Sequence, residues 1–201
     1  MINYVMLVSR QGESIIFSPT PSLNPRTAAG KVRLAKWFQT LPPKTKAKIV
    51  KDVTQLVLAR RTRMCNILEY KGTSSAIKKR KECSPARLRA DTKVIYRRYA
   101  SLFFITSISP QDNELITLEV IHRYVEVLDR YFGNVCELDL IFNFQKAYAI
   151  LDELIIAGEL QESSKKAVLR IVAQSDAIEE AEVSEDSMAR LGSLGSITGR
   201  G

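Results

Sequence analysis

The single histidine, His122, is the first place to look for acid–base chemistry in this 201-residue chain. No nucleophile and no carboxylate stands at a motif spacing from it, so it makes no catalytic site by itself. Asp152 and Glu153 are neighbours on one predicted helix and read as a solvated or interface face, not as an acid–base pair. The three cysteines, Cys65, Cys83 and Cys136, are odd in number, widely spaced and form no CxxC pair. That pattern speaks against zinc and redox use and suits a reducing, cytosolic compartment. Cys65 and Cys136 are expected to be small buried hydrophobes. No GxxxxGK[ST], GxGxxG or HExxH string occurs. The residue types point to no enzyme, and no metal or cofactor is expected.

The formal charge is +8, which invites a nucleic-acid or anionic-membrane partner. Its location weakens that reading. The segment from Gly72 to Ala90 holds Lys78, Lys79, Arg80, Lys81, Arg87 and Arg89 against one acid, Glu82, so most of the excess sits there. No apolar run is long enough to span a bilayer, and Met1-Ile2-Asn3-Tyr4 has no basic lead into a hydrophobic stretch.

Hydrophobic periodicity gives the elements. Ile2–Val8 reads as a buried strand, and Val32–Phe38 alternates apolar with basic residues as a half-buried one does. Pro42-Pro43 opens a helix running through Ala59, with Ile49, Val53, Leu56 and Val57 at helical spacing. Met64–Tyr70, Val94–Ala100 and Leu102–Ile108 read as three more strands. Asp112 or Asn113 caps a helix whose Leu115, Leu118, Ile121, Val125 and Leu128 form one face. Asn143 starts another, with Ala147, Leu151, Leu154 and Ile155 inward and Gly158 as its stop. Ser163 or Ser164 caps a last helix to about Gln174. Beyond it the chain turns acidic and then Gly/Ser-rich, so residues 175–201 are expected to be a flexible, disordered tail. Strands grouped apart from helices predict an α+β domain over residues 1–174, with an antiparallel sheet covered by helices on at least one face.

Six strings resemble the sigma subunits of heterotetrameric clathrin adaptor complexes: GKVRLAKWF (30–38), MCNILEYK (64–71), YRRYASLFF (96–104), DNEL (112–115), YFGNVCELDLIFNFQKAY (131–148) and ILDELIIAGELQESSKK (150–166). They are long and in family order. The wording around MCNILEY and SSKK is most similar to the trans-Golgi and endosomal adaptor protein complex one. The plasma-membrane sigma is the next nearest, and the zeta subunit of coatomer a more distant relative. The resemblance implies a longin-like fold, a five-stranded antiparallel sheet flanked by helices. It also implies a gamma-type large subunit and the rest of a heterotetramer as partners, with clathrin and the membrane reached indirectly. The location implied is cytoplasmic, peripheral on trans-Golgi network and endosome membranes and on clathrin-coated vesicles. The implied activity is capture of acidic dileucine signals in the cytosolic tails of membrane cargo. Carried over position by position, the dileucine pocket falls on Ala100, Leu102, Val125, Asn134, Val135 and Leu140, and the contact with the acidic end of the signal on Arg33. Without the resemblance, Leu102, Val125 and Leu140 read as ordinary core and Arg33 as a solvated strand face. Coatomer-type packing without a cargo pocket and a basic nucleic-acid module are the rival readings; no nucleic-acid partner is expected.

Two irregular blocks, Gly12–Ala29 and Gly72–Ala90, interrupt what otherwise read as short hairpins. The resemblance runs cleanly across each when it is removed. Both begin with Gly and end with Ala, and codons for Gly-Glu-Ser and Gly-Thr-Ser accommodate splice-donor strings. They read as translated retained introns, with genuine loop insertions as the alternative. The first adjoins Arg33 and is expected to obstruct the cargo site if present.

Overall fold

A computed structural model describes residues 1–10, 30–61, 63–71 and 91–195. The chain runs β1 (Ile2–Arg10), β2 (Gly30–Trp37), α1 (Pro43–Leu58), β3 (Ile67–Lys71), β4 (Asp91–Tyr99), β5 (Leu102–Ile108), α2 (Glu114–Phe132), α3 (Glu137–Phe142), α4 (Phe144–Leu154), β6 (Ile155–Ile156), β7 (Glu159–Leu160) and α5 (Lys165–Gly195). The first five strands make one antiparallel sheet in the order β2-β1-β5-β4-β3. This is the expected α+β architecture.

The interior strands β1 and β5 are buried on both faces, which explains their near-continuous apolar sequences. Alternation along them feeds two cores. Leu7, Leu102 and Phe104 point to the side covered by α2 and α4. Met6, Val8, Phe103 and Ile105 point to the side covered by α1, against Val53, Val57 and Leu58. The sheet is therefore covered on both faces. Gly30 starts β2 because a Cβ there would come within 2.5 Å of Leu58 Cδ1 and 2.6 Å of Val8 Cγ1.

α1 begins with Pro43 in its first turn, as proline's fixed φ and missing N–H permit. The Asn113 side chain caps α2 by accepting from Leu115 N at 2.9 Å. α2 ends at Gly133, which is left-handed at φ +65°. α4 is fastened to α2 by the Tyr124 hydroxyl, which donates to Ala147 O at 2.8 Å. The Tyr148 hydroxyl accepts from Ala35 N at 2.9 Å, so α4 also closes over the edge strand β2.

Several expectations need correction. Leu115 is exposed, at 70%, and the buried stripe of α2 runs instead through Thr117, Val120, Ile121, Tyr124, Val127 and Leu128. Leu115 is in the first turn, off that buried stripe. Cys65 and Cys136 are exposed, because one lies in the α1–β3 connection and the other just before α3; Cys83 lies outside the described residues. α3 and the small β6–β7 hairpin were not anticipated, being too short to show a period. Gly158 belongs to that hairpin: Ala157 and Gly158 have φ of +53° and +84°, the left-handed pair of a two-residue turn.

The last helix does not stop near Gln174 but continues to Gly195. Asp176 and Glu179 both grip Lys146, each at 2.5 Å, and Asp176 accepts from the Tyr131 hydroxyl at 2.7 Å. Residues 175–191 contain neither proline nor glycine and are rich in Ala, Glu and other helix formers. Residues 175–195 are thus helical, where disorder was expected. Among the described side chains after Asp176, all are exposed.

The blocks Gly12–Ala29 and Gly72–Ala90 lie outside the described residues. The flanking ladders run right up to them, with Arg10 opposite Gly30 and Lys71 opposite Asp91. Each block therefore links two strands that pair directly with each other.

Candidate functional site

The residues singled out by sequence come from four separate segments, and Leu102, Val125, Val135 and Leu140 all belong to the α2-side core or pack against it. Leu102 begins β5 and is 5% exposed; Leu140 lies on α3 and is 2% exposed. Both belong to one core cluster, and Val125 of α2 and Val135 of the α2–α3 connection pack against it, half-buried. Ala100 makes the tight β4–β5 turn at φ +50° and is exposed. Asn134, at φ +67°, is also exposed, and asparagine tolerates that left-handed backbone better than most residues. The 134–136 connection is held by carboxylates. Val135 N donates to Asp129 Oδ1 at 3.1 Å, and Cys136 N to Asp139 Oδ2 at 2.8 Å.

The leucines are therefore both site candidates and core. Leu102 and Leu140 are buried, while Val125 and Val135 keep part of their surface accessible.

Arg33 is not a solvated strand residue. Its side chain is 16% exposed, and its Nη2 donates to Glu137 Oε1 at 2.7 Å. Arg33 Nε donates to the same oxygen at 3.2 Å and to Ser9 Oγ at 3.0 Å. The Ser101 hydroxyl donates to the other carboxylate oxygen of Glu137 at 3.2 Å. Glu137 thus ties β1, β2, the β4–β5 turn and α3 into one knot beside Ala100 and Leu102. Burial pushes its carboxyl up, but the hydrogen bonds from Arg33, Ser9 and Ser101 and the Arg33 charge outweigh that, and the group ends below its ordinary value. Sequence reading missed Glu137 and Ser101. The signal available was the acidic start of the CELD string, since an acid in the first turn of a helix is favoured but names no distant partner.

His122 is half-buried against Tyr99, whose hydroxyl lies 3.0 Å from His122 Nδ1. No group of three or more His, Cys, Asp or Glu among the described residues is arranged to hold a metal ion. No helix among them is long and apolar enough to cross a membrane.

Residues 26–179 match the family of clathrin adaptor complex small chains. The chain belongs to that family. Among adaptor small chains it is 50% identical to AP-1 complex subunit sigma-1 of Schizosaccharomyces pombe, over 99% of both chains. It is 46% identical to AP-1 complex subunit sigma-2 of Arabidopsis thaliana, over 93% of each, and 44% identical to the human AP-1 complex subunit sigma-1A, over 94% of this chain and 96% of that one. In three dimensions it is similar to a chain in a homology model of the full-length AP-3 complex in a stretched open conformation. The TM-score is 0.60 at 23% identity, covering 92% of this chain and 99% of that one, a likeness of fold. As an adaptor small chain the protein is a sigma subunit of an adaptor complex with a part in vesicle trafficking, and other subunits of that complex are its partners.

Proposed function

We propose that this chain is the sigma subunit of an AP-1-type heterotetramer, packs on a gamma-type large subunit, and helps bind acidic dileucine signals in cargo tails between trans-Golgi network and endosomes. It would act from the cytoplasmic side, peripheral to those membranes and to clathrin-coated vesicles, without enzymatic chemistry. The identity to AP-1 sigma relatives over nearly the whole chain supports the choice of complex.

The observation that carries the cargo reading is convergence. Leu102 and Leu140 share one core cluster with Val125 and Val135 packed against it, and Ser101, between Ala100 and Leu102, shares Glu137 with Arg33. Partly accessible valines packed against buried leucines suit two branched side chains, and the Arg33–Glu137 knot stands where the polar end of an extended signal would lie. Burying two leucines contributes about 1.5–3 kcal/mol each, before the cost of ordering a flexible tail. Affinity on the order of micromolar follows, which suits reversible selection reinforced by several simultaneous contacts.

The test is fluorescence anisotropy of a labelled acidic dileucine peptide on the reconstituted heterotetramer. Val125→Asp, at a half-buried position, places a charge against the leucine side chains and is expected to abolish binding while the complex still assembles. Undiminished affinity in an intact Val125→Asp complex would refute the site.

A further inference from the structure

On the opposite face of the sheet from Arg33, at the C-terminal end of α1, lies a cleft of about 870 Å³. Arg10, Arg60, Arg61, Arg63 and Arg98 line it, with no carboxylate among the described lining residues. Arg97 borders it too, but its guanidinium carbon stands 5.2 Å from the Tyr99 ring, on the α2 side of the sheet. Tyr96 and Phe103, both members of the α1-side core, form its floor. The guanidinium carbons of Arg10 and Arg98 stand 6.0 and 5.6 Å from the centre of the Phe103 ring, and that of Arg60 stands 5.8 Å from the Tyr96 ring.

Part of this cluster has a structural duty. Arg10 donates to Leu58 O at 3.1 Å and so satisfies a carbonyl at the end of α1, where the helix dipole favours a cation. Arg60 donates to Cys65 O at 2.8 Å and to the Tyr96 hydroxyl at 3.0 Å. Arg61 and Arg63 carry no such duty, since neither side chain has a partner among the described residues. None of these five arginines is in an ion pair among the described residues. Gathering like charges round one cleft costs free energy through mutual repulsion, and packing alone does not require it.

A guanidinium fork matches the geometry of phosphate oxygens, and several forks converging on one concavity select a ligand with several phosphates close together. The volume lies within the ~300–1,000 Å³ span of small-ligand sites, which favours a compact anion over an extended acidic peptide. We propose that this cleft is a binding site for a compact polyphosphorylated anion, either a free phosphate compound or the headgroup of a phosphorylated lipid. It is independent of the cargo pocket, from which the sheet separates it.

The experiment uses the complete heterotetramer containing this chain, titrated with inorganic tripolyphosphate by calorimetry. Saturable binding is expected, weakened about tenfold or more in Arg61→Glu/Arg63→Glu. The charge-matched Lys44→Glu/Lys48→Glu, on the exposed side of α1 away from the cleft, should stay within about twofold of the parent, as general screening predicts for a distant charge. Flotation with phosphatidylcholine vesicles, with and without phosphatidylinositol bisphosphate, separates the two sources. Recruitment that depends on Arg61 and Arg63 assigns a lipid headgroup, and tripolyphosphate binding without recruitment assigns a free phosphate. If the arginine variant does not assemble, protection of Arg61 and Arg63 from phenylglyoxal by tripolyphosphate in the unaltered complex, read by mass spectrometry, replaces it. No saturable binding, equal weakening by both variants, or labelling of both arginines unaffected by tripolyphosphate overturns the proposal.

Discussion

Neutralising Glu137 as Glu137→Gln is expected to tighten binding of an acidic dileucine peptide while weakening the fold. In the free chain Arg33 is already committed. It makes two hydrogen bonds to one oxygen of Glu137, at 2.7 and 3.2 Å, from a side chain only 16% exposed. An acidic signal must share or replace that carboxylate. A hydrogen bond to a charged partner contributes about 1.5–3 kcal/mol, and the quarter exposure of Glu137 lowers this to about 1–2 kcal/mol. Glu137→Gln should therefore cost about 1–2 kcal/mol of stability, read as a lower Tm of the assembled complex. It also releases Arg33 and removes a repelling charge, for a gain in peptide affinity on the order of fivefold, about 1 kcal/mol, that shrinks as salt is raised. Arg33→Ala should weaken the peptide, and the double variant should show the two effects coupled. Peptide anisotropy on the three variants and the parent is the assay. A Glu137→Gln complex that binds as weakly as Arg33→Ala would refute competition, and would mean that Glu137 holds Arg33 in place for the signal. The acid side has its own signature. The folded-state value of Glu137 is lowered, so its contribution is fully present above the ordinary carboxylate range and is lost as pH falls through the lowered value.

Gly158→Ala should lower Tm by about 4 °C or more, since its φ is +84° and a Cβ would stand 2.3 Å from Ile2 O. Gly133→Ala is the comparison: its φ is +65° with nothing within 4 Å, so only the conformational cost of about 1 kcal/mol is expected. Lys146→Met should speed hydrogen exchange across residues 176–180, where Asp176 and Glu179 lose their cation, and leave β1 and β5 protected. Unchanged exchange would show that the helix needs no clasp there. Removing residues 12–29 and 72–90 together should leave the fold intact, because the strands on either side of each pair directly and a doubling of loop length changes closure entropy by only ~0.6 kcal/mol. Sequencing of the transcript decides their origin: a message lacking both supports retained introns, and a predominant message with both supports insertions. Equal peptide affinity with and without residues 12–29 would exclude obstruction of the cargo site.

Much of the fold was legible in the chain because its elements obey local rules. β5 runs from Leu102 to Ile108 as its near-continuous apolar sequence indicates, and Asn113 caps α2 as its side chain and position require. Pro43 opens α1 for the same kind of reason. Where one local rule was weak, the reading slipped. Leu115 fits the helical period of α2 as well as Ile121 does, and only the position of the sheet leaves the first exposed and the second 4% exposed. The end of α5 was misplaced because an acidic run without apolar spacing resembles a tail, whereas Lys146 and Tyr131, distant in sequence, hold it as helix. α3 is one and a half turns long, too short for a period to declare itself.

For the candidate site, Leu102, Val125, Val135 and Leu140 are named only through position in family-like strings; read by type and period alone, Leu102, Val125 and Leu140 are core, as the packing also has them. Sequence alone could not determine what Arg33 does. The Glu137 that neutralises Arg33 lies 104 positions away, and ion pairs across a fold leave no local pattern. The same holds for charge. Summed along the chain, the arginines outside Gly72–Ala90 look unremarkable. Three segments far apart in sequence, the end of β1, the α1–β3 connection and the end of β4, bring Arg10, Arg60, Arg61, Arg63 and Arg98 round Tyr96 and Phe103. Periodicity is written in neighbours and so survives in one dimension; electrostatic fields depend on distance through space, and only the folded chain decides those.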